Sequence, residues 1–263
     1  MLQRDIFIKE IINNLKKDKN IFFLSADFGA EALDELRKNY PENFIHCGIS
    51  EQAMMDVATG LSLDKNKVFV YAMAPFISLR SIEQTKCGPG LMNLPICVVS
   101  VGVGLGYADS GPTHYATEDF ACFRSINKVS VYTPSDNSTT QLIAKQQIAN
   151  PIFSYIRLDR HELSEAESKI NEDTFKRGFR VIGDVKKNRI ALVSHGKMLH
   201  RCLQVQKRNA NKFYCIDIFR TKPFPTELYE VVKDTKGILA VDEQGPNGAL
   251  PSCIFEGLNS NLN

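Results

Sequence analysis

Five short apolar runs, IFFLSA (21–26), KVFVYAM (67–73), PICVVSVG (95–102), KVSVYTP (128–134) and IFSYIR (152–157), mark out residues 1–161. Each is short and rich in β-branched or aromatic residues, so each reads as a strand buried on both faces. Between them run segments with helical spacing: Phe7, Ile8, Ile11, Ile12 and Leu15 first, then 51–63, Phe76 to Lys86, and 137–149. Strands separated by helices are crossover connections, which parallel strands need and hairpins do not. The fold class is therefore α/β, a parallel sheet covered by helices on both sides.

A second α/β unit follows. The stretch from Glu162 to Asp173 is charged and without apolar periodicity, and reads as part of a linker over 162–177. Beyond it, in 178–263, come RIALVSHG (189–196), a helix at about 198–209, FYCIDIF (213–219), a helix at about 226–235, and GILAVDEQ (237–244). The expectation is two parallel-sheet domains, the second smaller and ending barely one helix past its last strand.

Charge excludes several functions. Lys and Arg number 32 against 30 Asp and Glu, a formal charge of +2, so there is no broad basic footprint for nucleic acid or an anionic membrane. The first 20 residues are charged throughout, unlike a secretory signal, and no apolar run reaches membrane-spanning length. Seven cysteines without a C-x-x-C pair read as reduced thiols rather than disulfides or a zinc site. A cytoplasmic protein acting on small molecules is expected.

Three stretches could carry chemistry. The turn GVGLGYADSG (102–111) follows a strand, but a dinucleotide-binding G-x-G-x-x-G would need glycine where Tyr107 stands. Neither a phosphate loop nor a G-x-S-x-G nucleophile elbow occurs. Next, DSGPTHYATEDF (109–120) puts Ser110, Thr113, His114, Glu118 and Asp119 after the carboxyl end of a strand, where ligands bind in parallel sheets. His114 alone could be a loop residue bonded to backbone; Glu118 and Asp119 read as a helix start. Finally, FIHCGISEQAMMDVATGLSL (44–63) sets one acid, Glu51, among small and apolar residues. Ser50 is suited to an N-cap and Glu51 to the first turn, facing the positive end of the helix dipole.

Together with AMAPFISLRSIEQ (72–84) and VYTPSD (131–136), these last two stretches resemble the pyrimidine-binding domain of transketolases, in order and spacing over about residues 20 to 160. The likeness is to split transketolases, in which two chains replace one. RIALVSHGKML and GILAVDEQGPNGAL are similar to the family's carboxyl-terminal domain, which here looks short of its last elements. The resemblance implies thiamine diphosphate as cofactor. It gives Glu51 the hydrogen bond to the pyrimidine ring nitrogen that lets the cofactor's own amino group act as base, with Ala53, Met54 and Met55 offering an apolar setting. It implies that Phe76 stacks on the pyrimidine and that Arg80 and Asp27 line the cofactor site. His114, from GPTH, contacts the substrate and moves protons there.

Departures from the pattern bear on substrate. Ser110 stands where many transketolases have an aspartate that reads a sugar hydroxyl. Arg160 and Arg4 match phosphate-binding arginines, but Glu31 replaces a serine and the glycine turn lacks a histidine. An acid in place of a phosphate ligand repels phosphate, so the acceptor is expected not to be an ordinary pentose phosphate. The family's G-D-G motif, which holds the diphosphate and a magnesium or calcium ion, is absent. No metal ligand is therefore assigned to this chain, and a second, N-terminal subunit in an α2β2 assembly is expected to supply them.

The resemblance implies transfer of a two-carbon ketol unit from a ketose to an aldehyde acceptor. The alternatives are a deoxyxylulose-phosphate synthase-like protein or a 2-oxo acid dehydrogenase beta subunit, against which GPTHYATED argues, and a regulatory subunit without turnover. A nicotinamide oxidoreductase ranks behind these, its fingerprint broken at Tyr107.

Overall fold

The computed structural model describes residues 1–26, 29–166, 168 and 170–259. Its first part runs α1 (Gln3–Leu15), β1 (Ile21–Ser25), α2 (Asp34–Asn39), β2 (Phe44–His46), α3 (Glu51–Leu63), β3 (Lys67–Met73), α4 (Ile82–Thr85), β4 (Ile96–Val101), α5 (Asp119–Ser125), β5 (Ser130–Tyr132), α6 (Asn137–Ala149) and β6 (Ser154–Leu158). The second part is α7 (Glu172–Arg177), β7 (Arg180–Ile182), β8 (Ile190–Ser194), α8 (Lys197–Arg208), β9 (Phe213–Asp217), β10 (Arg220–Lys222), α9 (Leu228–Val232), β11 (Gly237–Val241) and α10 (Leu250–Asn259).

Six parallel strands in the order β5-β6-β4-β3-β1-β2 form the first sheet. Side chains alternate across it as the pleat requires. Phe69 and Tyr71 join a core with Phe7, Ile11 and Leu15 of α1 and Ile143 of α6. Val68, Val70 and Ala72, from the same strand, face Met54, Met55 and Ala58 of α3 and Phe120 and Phe123 of α5. The second sheet has the order β11-β8-β9-β7.

Each sheet departs from the all-parallel expectation at one edge. β7 is antiparallel to β9, and β10 leaves the second unit to pair antiparallel with β5, extending the first sheet to seven strands. Three residues, Arg-Thr-Lys, carry no periodicity that could announce this. The expected linker is also structured at its end: Asn171 accepts from the Thr174 N–H to cap α7, and Gly178 at φ +83° closes it. Phe175 of that helix lies between the rings of Tyr132 and Phe219, joining the two units.

A buried ion network reinforces the join. Arg180 donates to Asp136 (2.7 Å) and Asp217 (2.9 Å), and the Ser135 hydroxyl donates to Asp217 (2.6 Å). Burial would raise both acids; Arg180 and Thr139 hold Asp136 below its ordinary value, whereas Asp217, more deeply buried and facing Asp136, stays raised.

Candidate active site

Glu51, Phe76, Arg80, His114 and Arg160 all follow carboxyl ends of strands in the first sheet. Glu51 opens α3 and is only 2% exposed. Its helix starts without the expected side-chain cap: the Ser50 hydroxyl makes no capping bond, and only its carbonyl accepts, from Met54 N–H at 2.9 Å. Nor is the setting purely apolar, because the Arg80 guanidinium donates to Glu51 Oε2.

The segment after β3 explains how Arg80 arrives. Instead of the continuous helix expected from Phe76 to Lys86, residues Phe76–Arg80 form one wide π-type turn, and a second spans Lys86–Gly90. Ser78 turns its hydroxyl back to the Ala74 carbonyl at 2.6 Å. The turn sets the Arg80 guanidinium 4.7 Å from the Phe76 ring centroid. The His114 ring meets Phe76 edge-on, with centroids 5.3 Å apart. An open cavity of about 450 Å³ is lined by Phe76, Arg80, Thr113 and Glu118.

His114 sits on a loop anchored from both domains. Gly104 and Ala116 form an isolated bridge, while from the second domain Gln244 donates to the Ala116 carbonyl (3.1 Å) and the Gly245 N–H to the Thr117 carbonyl (2.9 Å). Thr113 Oγ1 lies 3.0 Å from His114 Nδ1. Beyond His114, at 6.4 Å between centroids, lies Tyr107, and the Arg160 guanidinium sits 4.5 Å from the Tyr107 centroid. Glycine is required beneath that ring: Gly102 has φ +79°, and a Cβ there would come within 2.0 Å of Tyr107 Cε2.

Arg4, Ser110 and Asp27 are also expected in the site. Arg4 donates to Asp5 at 2.9 Å and faces Tyr71; burial would lower its pKa, but these partners raise it. It stands outside the series of contacts around Phe76 and His114. Ser110 is exposed on the turn before Gly111, and Glu31 is exposed too. Asp27 lies outside the described residues.

The sequence reading missed the acids and bases that hold the site together. Asp119 does start a helix, as expected, but it is buried and takes two hydrogen bonds from Arg157, at 2.8 and 3.0 Å, and one from the Tyr155 hydroxyl at 2.8 Å. Arg157, inside a strand pattern otherwise apolar, was the available signal. Within the second domain, His195 pairs with Asp242 at 3.2 Å, beside a cavity of about 20 Å³ between the domains that Arg157 and Asp159 also line. Burial opposes ionisation of Asp242, but His195 and Arg157 hold it well below the ordinary carboxylate range.

The residues present fit an aminopyrimidine. Phe76 offers a half-buried face, and a carboxylate accepts up to about four hydrogen bonds, so the Arg80 pair leaves Glu51 capacity for a ring nitrogen. Among the described residues no three His, Cys, Asp or Glu side chains group as a metal site.

Residues 3–165 match the family model for the transketolase pyrimidine-binding domain, and 181–263 that for the transketolase C-terminal domain. The chain is 24% identical over 267 residues to an apulose-4-phosphate transketolase subunit of Phocaeicola vulgatus, covering 98% of this chain and 84% of that one. The subunit of the same name from Actinobacillus succinogenes is 26% identical over 258 residues, with coverage of 96% and 82%. Human transketolase is 27% identical over 242 residues, but the match covers 38% of it and 89% of this chain. Among solved structures, a split-gene transketolase described as an inactive β4 tetramer superposes with a TM-score of 0.84 at 24% identity, covering all of this chain and 86% of that one. The chain belongs to the transketolase family and carries its pyrimidine-binding and C-terminal domains.

Proposed function

We propose that the chain is the pyrimidine-binding subunit of a thiamine-diphosphate transketolase and transfers a two-carbon ketol unit from a ketose to an aldehyde sugar. The contact series Glu51–Arg80–Phe76–His114 carries this reading. When bound, thiamine diphosphate supplies the carbon nucleophile that such a transfer requires. Glu51 would share one proton with the ring nitrogen of a bound aminopyrimidine, while Arg80 orients the Glu51 carboxyl group. Phe76 supports the ring by stacking, worth about 0.5–1.5 kcal/mol beyond burial. With Thr113 engaging His114 Nδ1, the other ring nitrogen, Nε2, is the one that exchanges protons with substrate oxygen. Arg160 would meet the far end of the substrate and Ser110 would contribute at the turn; the family likeness also assigns Arg4 and Asp27 to the site, although Arg4 stands outside the Phe76–His114 contacts and Asp27 outside the described residues.

A partner chain with the N-terminal domain holds the diphosphate and its magnesium or calcium ion, and α2β2 is the simplest assembly. The domain division follows as 1–161 and 178–263 about the connector 162–177. The relatives named for apulose-4-phosphate favour a sugar other than an ordinary pentose phosphate. No described helix is long and apolar enough to cross a membrane, and we assign the assembly to the cytoplasm.

Calorimetry tests the reading: thiamine diphosphate with magnesium is titrated into this chain alone and into its mixture with the N-terminal subunit. Binding confined to the mixture, with turnover abolished by Glu51→Gln, is expected. Absence of binding in a correctly assembled mixture would reject it in favour of a non-catalytic subunit.

A further inference from the structure

We propose that Asp109 sets the charge preference of the acceptor end of the site, by occupying Arg160 in the free protein and opposing any anionic group that would replace it. The inference rests on the transketolase reading above and adds a residue to it. Arg160 is held at two points. Its guanidinium lies over the Tyr107 ring, whose seat depends on Gly102, and its Nη1 donates to Asp109 Oδ1 at 2.6 Å. The pair is open to solvent, with side chains 37% and 65% exposed, so an entering substrate can reach it. Asp109 is ionised at neutral pH: the hydrogen bond from Arg160 holds its carboxyl below the ordinary range, and His161 adds to the positive field.

The consequence is electrostatic. A guanidinium binds phosphate through its planar fork and its charge. Here the fork already carries a carboxylate, so a phosphate dianion meets a neutralised arginine and a like charge beside it. A neutral polyol end has no such conflict, because it can accept from the guanidinium without displacing Asp109. The glycine turn and the strand end after β6 thereby form one specificity element, with Tyr107 linking it to His114.

Two readouts test this. With the reconstituted two-chain enzyme, kcat/KM is measured for D-glyceraldehyde and D-glyceraldehyde 3-phosphate as acceptors. Asp109→Asn keeps the shape and removes the charge; it should raise the phosphorylated-to-neutral ratio about tenfold, mainly through KM, as water-screened repulsion of a dianion at contact range implies. Separately, inorganic phosphate is titrated into the assembled protein while the Arg160 Nε–H signal is followed by NMR. Asp109→Asn should tighten phosphate about tenfold, and Arg160→Gln, followed by calorimetry because it removes the NMR reporter, should abolish phosphate binding. An unchanged ratio and unchanged phosphate binding would overturn the proposal. So would an equal loss of kcat/KM for both acceptors, which would make Asp109 a reader of sugar hydroxyls. Should the assembly transfer no ketol unit at all, the transketolase reading fails, while the phosphate titration still decides the role of Asp109.

Discussion

Removing the Asp119 carboxylate should unfold the first domain more readily than any single loss on its surface. Arg157 is 1% exposed, and its three nitrogens are committed: Nε and Nη2 to the two Asp119 oxygens, and Nη1 to Thr133 Oγ1 at 3.0 Å. Asp119→Ala leaves that cation buried beside Phe120, 5.1 Å from the ring centroid, and strips the Tyr155 hydroxyl of its acceptor. Breaking one side of a buried pair costs about 3–5 kcal/mol, a large part of the roughly 5–15 kcal/mol that stabilises a typical domain. Taking about 4 kcal/mol and a urea slope of about 3 kcal/mol per molar, the midpoint should fall by about 1.3 M. The chain has no tryptophan, so unfolding is followed by far-UV circular dichroism. The double variant Asp119→Leu/Arg157→Met, which removes both charges, should recover at least half of the loss, because an apolar pair avoids the desolvation penalty. A midpoint for Asp119→Ala within about 0.3 M of wild type, roughly 1 kcal/mol on the same slope, would refute the argument.

Other perturbations follow from the same structure. Asp242 has a folded pKa below its unfolded value of about 3.9, so the unfolded chain binds more protons in that window and stability falls as pH drops below about 4. Asp242→Asn should flatten this fall in thermal melts taken between about pH 3 and 7 and lower the melting temperature at neutral pH; an unaltered slope would remove Asp242 from the account. Phe76→Ala should weaken thiamine diphosphate in the assembled enzyme about tenfold or more by calorimetry, through lost stacking and burial. Burial pushes the Cys97 and Cys215 thiols up to about 12, whereas Cys87 is exposed. A thiol reagent at about pH 8 should therefore modify Cys87 first, as peptide mapping would report, and leave the other two untouched until the protein unfolds.

The fold was legible where the signal was local and apolar. The strand KVFVYAM is β3 residue for residue, and the helices over 51–63 and 137–149 have the expected ends, because a period of 2 or 3.6 held against two buried faces leaves little freedom. The wide turns around Phe76 were not legible, since backbone hydrogen bonds there shift by one residue without changing side-chain character. Among candidate site residues, Glu51, Phe76, Arg80 and His114 were named from motifs, and the structure brings them into one contact series. Arg4 was not brought into their contact series, and Ser110 lies on the exposed side of its turn.

By itself, the sequence determined that the first part of the chain forms a parallel α/β layer and that the candidate site residues follow carboxyl strand ends, because periodicity and chain order depend on neighbours a few positions apart. Only the tertiary structure decided which charges meet. Asp119 finds Arg157 across 38 residues, Arg180 joins Asp136 and Asp217 across the domain boundary, and Asp109 takes Arg160 across 51. An acid and a base carry no sequence mark of their partner. The pairing is set by which strand ends the sheet brings together and by how much water is left between them.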